Sequence, residues 1–264
     1  MTGGDQILSP GLLPITVFVI AQDEEGNIAD CLLSAGFAAE LLVLDGGSRD
    51  RTPELARAAG AIVAHRAFDG MNSQKNAALA RCSQPWVLNL DADERVGPEL
   101  RSSLEALFAA GEPACAGYTM PRRAFHLGRW IRGGGWYPDR KLRLFRRSAG
   151  RFAGRDPHDK VVVDGPVGEL QGDLLHYAYR DLAHHRAKMD GYTTAAARSA
   201  FAAGRRAALP RMLLAPPLRF LKAYLLRAGF RDGAAGLVLA WMAARYEWHR
   251  YRKLRRLCRG QEVA

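Results

Sequence analysis

Residues 15–21 read ITVFVIA, an unbroken run of β-branched, aromatic and small apolar side chains. A strand with no polar alternation has no face to offer to water, so it belongs in the middle of a sheet covered on both sides, the usual setting of parallel strands. Shorter runs of the same kind follow at residues 41–44 (LLVL), 61–64 (AIVA) and 86–90 (WVLNL). Helical stretches separate them. Thr52-Pro53-Glu54 predicts a helix with Thr52 as its cap and proline at the first position, stopped by Gly60. Gly97-Pro98-Glu99 opens another helix, closed by Gly111. This alternation predicts an α/β fold built on a mainly parallel sheet flanked by helices.

Beyond Gly117 the pattern changes. Residues 122–135 crowd glycines, aromatics and four arginines together and read as a long surface loop, suited to a binding lid. Residues 141–146 (KLRLFR) alternate as a half-exposed strand does, and residues 161–163 and 174–177 are expected to complete a mixed sheet. From Arg180 the pattern is helical, with breaks expected near Pro210 and Pro216-Pro217 and final helices over about 218–228 and 234–257.

Charge divides the chain. Residues 1–204 hold 24 Lys/Arg and 24 Asp/Glu, so the net +11 of the whole chain comes from residues 205–264. Residues 205–259 carry 14 basic residues against Asp232 and Glu247. A basic segment implies an anionic partner, whether nucleic acid, acidic lipid or an anionic substrate. Arginines interleaved with Leu, Phe, Tyr and Trp favour helices lying in a headgroup layer, which selects an anionic membrane surface and no nucleic acid. The division expected is a catalytic domain over 1–204 and a basic, amphipathic, membrane-associating region over 205–264. The apolar run at 234–244 is far shorter than the roughly 20 residues of a bilayer span. The first residues do not read as a signal peptide, and Cys31, Cys82, Cys115 and Cys258 form no C-x-x-C pair. The expected location is therefore cytoplasmic, peripheral on the inner face of the cytoplasmic membrane.

In an open α/β sheet, ligands bind beyond the carboxyl ends of the strands. The residues there are acidic: Asp23-Glu24-Glu25 after the first run, Asp45-Gly46-Gly47-Ser48 after the second and Asp91-Ala92-Asp93-Glu94 after the fourth. The first loop has no G-x-G-x-x-G, and the chain has no G-x-x-x-x-G-K-[ST]. Carboxylates beside a diphosphate need a cation between them, so Asp91-x-Asp93 points to a divalent metal, Mg2+ or Mn2+, that neutralises a departing nucleoside diphosphate.

The segments Phe18-Val19-Ile20-Ala21-Gln22-Asp23-Glu24-Glu25, Asp45-Gly46-Gly47-Ser48-Arg49-Asp50, Gln74-Lys75-Asn76 and Asp91-Ala92-Asp93-Glu94 together resemble family 2 glycosyltransferases of the GT-A fold. Residues 133–146, from Gly133-Gly134-Gly135-Trp136 to Leu144-Phe145-Arg146, resemble a bacterial subgroup that includes lipopolysaccharide core β-1,4-glucosyltransferases. The resemblance implies inverting transfer of a hexose, such as glucose, from a nucleoside-diphosphate sugar, UDP-hexose first, to a lipid-linked or lipopolysaccharide-core glycan. It places Asp45 and Glu24 against the nucleotide, Lys75 and Asn76 near the diphosphate, and Asp91 and Asp93 on the sugar-ribose and the metal. Asp23 departs from the family's usual Asn, and Gly46-Gly47 replaces a small polar residue and Gly.

Inverting transfer needs a base for the acceptor hydroxyl. Asp159, in Pro157-His158-Asp159-Lys160, is the first candidate and Asp139 the second, unless Asp139 only pairs with Arg140 or Arg143. His176 is a candidate third metal ligand or a buried structural histidine, and His184 and His185 read as surface residues. Trp130, Trp136 and Tyr137 offer faces on which a sugar ring can stack, or simply pack the loop. Two other readings remain: a catalytically silent membrane or nucleic-acid binding module on the same fold, and a metal-dependent nucleotidyltransferase, which would release pyrophosphate.

Overall fold

The computed structural model describes residues 11–155 and 158–263. They fall into two compact units, one running to Arg122 and resuming over Arg140–His176, the other made of Arg123–Asp139 and the chain from Tyr177 onward.

In the first unit the chain runs β1 (Leu13–Ala21), α1 (Ile28–Ser34), β2 (Ala38–Asp45), α2 (Thr52–Ala58), β3 (Ile62–His65), α3 (Met71–Leu79), β4 (Trp86–Asp91), β5 (Glu94–Val96) and α4 (Pro98–Ala109). Next come β6 (Gly117–His126), β7 (Arg129–Trp130), β8 (Asp139–Arg146), β9 (Gly150–Arg155), β10 (His158–Val163), β11 (Val167–Glu169) and β12 (Leu174–His176), of which β7 and the ends of β6 and β8 belong to the second unit. The main sheet is ordered β3-β2-β1-β4-β8-β6-β12-β5. Its first four strands are parallel, as the apolar runs predict. Antiparallel pairs β4–β8 and β12–β5 make it mixed. β1 is buried on both faces because its alternate residues serve two cores: Ile15, Val17 and Val19 pack with Trp86, Leu88 and Leu100, while Phe18 packs with Leu42, Val87 and Phe145.

Several expectations need correction. β8 is no half-exposed strand; Leu144 and Phe145 are fully buried and Arg143 is 7% exposed, because the strand lies between β4 and β6. Residues 161–163 do not join the main sheet but pair with β9 in a separate two-stranded sheet. Residues 122–135 are not one long loop, since β6 continues to His126. Thr52 begins α2 without capping it; its buried hydroxyl accepts the Glu24 amide at 2.8 Å and bonds to Asp50.

In the second unit, β6 turns into β7 through Leu127 and Gly128, both at positive φ, as a two-residue hairpin of matching twist requires. Helices α5 (Leu182–Ala202), α6 (Leu209–Leu221) and α7 (Gly233–Cys258) follow. The Asp181 side chain caps α5 by accepting the His184 amide at 2.7 Å. Pro216 and Pro217 do not break α6. The helix runs through them and continues as a π turn over Lys222–Leu226. His185 is buried, not a surface residue: its ring stacks on Tyr179 at 4.2 Å, and its Nδ1 meets His126 Nε2 at 3.0 Å. Trp136 stacks on His126, and Trp130 packs edge-on against Phe125 and Tyr177. The Gly133 segment is fixed by Asp232, which is 1% exposed and accepts the amides of Arg132 and Gly133. A Cβ at Gly133 would lie 2.3 Å from the Ala228 carbonyl oxygen, so only glycine allows this approach.

Candidate active site

The parallel strands deliver their carboxyl ends to one edge of the first unit, and the loops there interlock. Asp23, at φ 55, accepts the Arg49 amide at 2.7 Å, while its own amide donates to Ser48 Oγ at 3.0 Å. Glu25 exchanges similar bonds with Asp50 and Arg51. Aspartate and asparagine both tolerate the left-handed region and both offer an acceptor oxygen, so Asp23 does the conformational work of the family's Asn. Glu24 accepts the Asn27 side-chain amide at 2.8 Å. The acidic first loop is thus a clamp on the second.

Asp45 ends β2 with 5% exposure. Its carboxylate accepts the amides of Gly47 and Ser48, the Ser48 hydroxyl at 2.5 Å and a contact from His65 Nδ1 at 3.1 Å. Burial alone would push its pKa up; Ser48, His65 and the two amides outweigh burial and hold it below the ordinary carboxylate range. Gly47 sits at φ +101, which explains a glycine there.

The densest chemistry lies after β4. Asp91 places Oδ1 3.2 Å from Lys75 Nζ on α3 and Oδ2 2.5 Å from Arg143 on β8. Arg143 also donates to Asn89 Oδ1 at 2.9 Å and to Glu94 Oε1 at 2.8 Å, and Glu94 receives Arg122 at 3.2 Å. Glu94 is fully buried and Lys75 is 2% exposed. Burial would raise the Asp91 pKa, but Arg143 and then Lys75 outweigh it and hold the carboxyl far below its usual range. Lys75, Arg143 and Arg122 thus pair with the carboxylates of Asp91 and Glu94 at the carboxyl edge of the parallel strands.

Asp93 points elsewhere. Its Oδ2 lies 3.5 Å from His176 Nε2 on β12. Asn76 turns both ends of its amide to the Phe152 main chain, each bond 2.9 Å, and so anchors β9 to α3. Among the described residues, no three His, Cys, Asp or Glu side chains converge to cage a metal ion. Asp93 nonetheless fits a Mg2+ or Mn2+ ion, because Mg2+ is commonly held by one or two carboxylates with substrate phosphates and water supplying the rest, and His176 beside it offers a nitrogen as a further donor.

The two candidate bases stand differently. Asp159 pairs through its backbone with Gly154 on β9, but its side chain lies outside the described residues. Asp139 begins β8 in the second unit. Arg143 is committed to Asn89, Asp91 and Glu94, and Arg140 reaches Glu169 at 3.0 Å.

A family model described as Glycosyl transferase family 2 matches residues 16–210. The chain belongs to this family. The glycosyltransferase is 32% identical over 246 residues to the lipopolysaccharide core biosynthesis glycosyltransferase LpsC of Rhizobium meliloti, a match covering 89% of each chain. It is 29% identical to an uncharacterized glycosyltransferase of Rickettsia typhi over 92% of this chain and 87% of that one. Among solved structures, S. aureus TarS in complex with UDP-GlcNAc is similar over 95% of this chain and 93% of that one, with a TM-score of 0.44 and 13% identity. Glucosyl-3-phosphoglycerate synthase from Mycobacterium tuberculosis, in complex with Mn2+ and UDP, is similar over 43% of this chain and 44% of that one, with a TM-score of 0.34 and 26% identity.

Among the described residues, no helix is long and apolar enough to cross a membrane. The structure sets Asp91 against Lys75 and Asp93 against His176, and adds Arg143, Arg122 and His65 as partners of Asp91, Glu94 and Asp45 that the sequence reading does not single out for the site. A signal for Arg143 is present: an arginine flanked by leucines in a strand of the main sheet.

Proposed function

We propose that the chain transfers a hexose, with glucose from UDP-glucose as the first choice, to a lipid-linked or lipopolysaccharide-core glycan at the inner face of the cytoplasmic membrane, with inversion at the anomeric carbon. The observation that carries this is the Asp91 network: two fixed cations, Lys75 and Arg143, held in place at the carboxyl edge of the parallel strands, next to Asp93 and His176. Likeness to LpsC over nearly the whole chain supports the choice of acceptor.

Asp45 and the loop it organises receive the base or ribose of the donor, with Glu24 beside them. Asp91, fixed in place by Lys75 and Arg143, meets the sugar and ribose of the donor, and the charge of Lys75 behind it offsets that of the nearby diphosphate. Asp93 and His176 hold a divalent ion whose Lewis acidity stabilises the nucleoside diphosphate as it leaves. Asp159 or Asp139 takes the proton of the acceptor hydroxyl. The basic helices of residues 205–264 meet the anionic headgroups around the acceptor.

The test is to incubate the protein, Mn2+ and UDP-glucose with truncated lipopolysaccharide core. Release of UDP together with gain of one hexose by the acceptor is the expected result. Release of pyrophosphate would replace this reading with nucleotidyl transfer, and no turnover with any nucleotide sugar would favour a silent binding module.

A further inference from the structure

The second unit exposes apolar side chains in two stripes. On α6 and the π turn, Leu214, Leu218, Leu221 and Leu225 recur at helical spacing and are 46–61% exposed. On α7, Leu237, Trp241 and Trp248 repeat on one face, with Trp241 60% exposed. Scattered surface leucines need no explanation, but a contiguous stripe of this extent marks a binding surface. A groove of about 1140 Å3 lies among α5, α6 and α7, lined by Phe220, Leu221, Leu237, Trp241 and Trp248. That is above the roughly 300–1,000 Å3 of the pockets that take drug-sized ligands. Pro216 and Pro217 form part of its wall.

Charge identifies the occupant. Arg186, Arg245 and His249 line the same groove. The His249 pKa is lowered, first by burial and then by Arg245, Arg252 and Lys253, a sign of the positive field there, which Asp190 opposes. An apolar trough with guanidinium groups on its wall matches a ligand with a long hydrocarbon tail and a phosphate.

We infer that this groove takes up the acyl chain of an anionic membrane lipid, with the lipid phosphate met by Arg186 and Arg245. The inference rests on the proposed membrane association and deepens it: the protein does not only adsorb to headgroups but withdraws a chain from the bilayer, which fixes the second unit at a set depth.

The test uses soluble probes, inorganic phosphate and hexyl, octyl and decyl phosphate below their micelle concentrations, titrated against intrinsic tryptophan fluorescence. Each added methylene should tighten binding about four-fold, while inorganic phosphate should bind weakly or not at all. Val238→Trp, which fills the groove, and Leu237→Asp, at an exposed position, should both remove the chain-length dependence while leaving circular dichroism and UDP binding unchanged. Should Val238→Trp not fold, phosphatidylglycerol with brominated chains should quench wild-type fluorescence, and less so in Trp241→Phe/Trp248→Phe. Affinity that ignores chain length, or variants that keep it, would overturn the inference. Co-sedimentation of the wild type with phosphatidylglycerol vesicles separates the two readings. Vesicle binding without chain-length dependence leaves membrane association standing and sinks the groove. Chain-length dependence without vesicle binding removes the bilayer as the source of the ligand and overturns the inference as stated.

Discussion

The two units solve opposite problems. The first buries charge: Glu94, Lys75 and Arg143 lie inside, and each is stable there only because an oppositely charged or hydrogen-bonding group touches it. The second exposes oil: Leu214, Leu218 and Trp241 face outward among arginines. Neither makes sense as folding economy alone. Buried ion networks rarely stabilise more than a packed apolar core would, and exposed apolar stripes add nothing to a folded monomer. Each departure from the ordinary pattern is what the proposed ligands call for, a nucleotide sugar at the first unit and an anionic lipid at the second.

That contrast predicts unequal mutational costs. Arg143→Leu should be the most damaging change, leaving Asp91 and Glu94 buried and short of a partner, with a loss of about 3–5 kcal/mol in urea unfolding. Asn76→Ala removes two hydrogen bonds to Phe152 and leaves that main chain unsatisfied, so about 1–3 kcal/mol should be lost, again by urea titration. If Asn76→Ala cost more than Arg143→Leu, the network would not be what the first unit rests on.

The second unit should respond to acid. His126 and His185 both have lowered pKa values, chiefly through burial, that of His185 at about 4. A histidine whose folded pKa is depressed is stable when neutral. Its contribution is complete above the unfolded value near 6.5 and is lost as pH falls from there toward about 4, because the unfolded chain takes up protons that the folded one refuses. The melting temperature should decline across that window, and His185→Phe should flatten the decline.

The smallest effect on stability belongs to the exposed stripe. Leu214→Ser and Leu218→Ser should change stability by less than about 0.5 kcal/mol, yet weaken co-sedimentation with anionic vesicles. A large destabilisation would mean that the stripe packs in the monomer, and the contrast between the units would fail.

The legible part of the fold is the part with continuous apolar runs. β1, β2 and β4 announce themselves because both faces are covered, and Asp45, Asp91 and Asp93 follow from where those strands end. β8 misleads because alternation of charged and apolar residues looks the same whether the charged face meets water or, as with Arg143, meets buried carboxylates. Residues 122–135 hide the end of β6 behind arginines and glycines whose partners, such as Asp232, lie about a hundred residues away. Pro216-Pro217 signals a break, yet α6 runs through both to Leu221. His185 reads as polar surface because its neighbours in sequence are polar, while its neighbours in space are Tyr179, Trp136 and His126. Local pattern reports what a segment can do; contacts between distant segments decide which option is taken.

The central claim is that a nucleoside diphosphate binds at the Asp91 network through a divalent ion held by Asp93 and His176. Calorimetric titration of UDP, GDP and CDP, with Mn2+ or with chelator, into the wild type and Asp93→Ala tests it most directly. The account predicts that UDP alone binds, only with Mn2+, and that Asp93→Ala abolishes the binding without lowering the melting temperature. Binding of equal strength in chelator, or in Asp93→Ala, would contradict it.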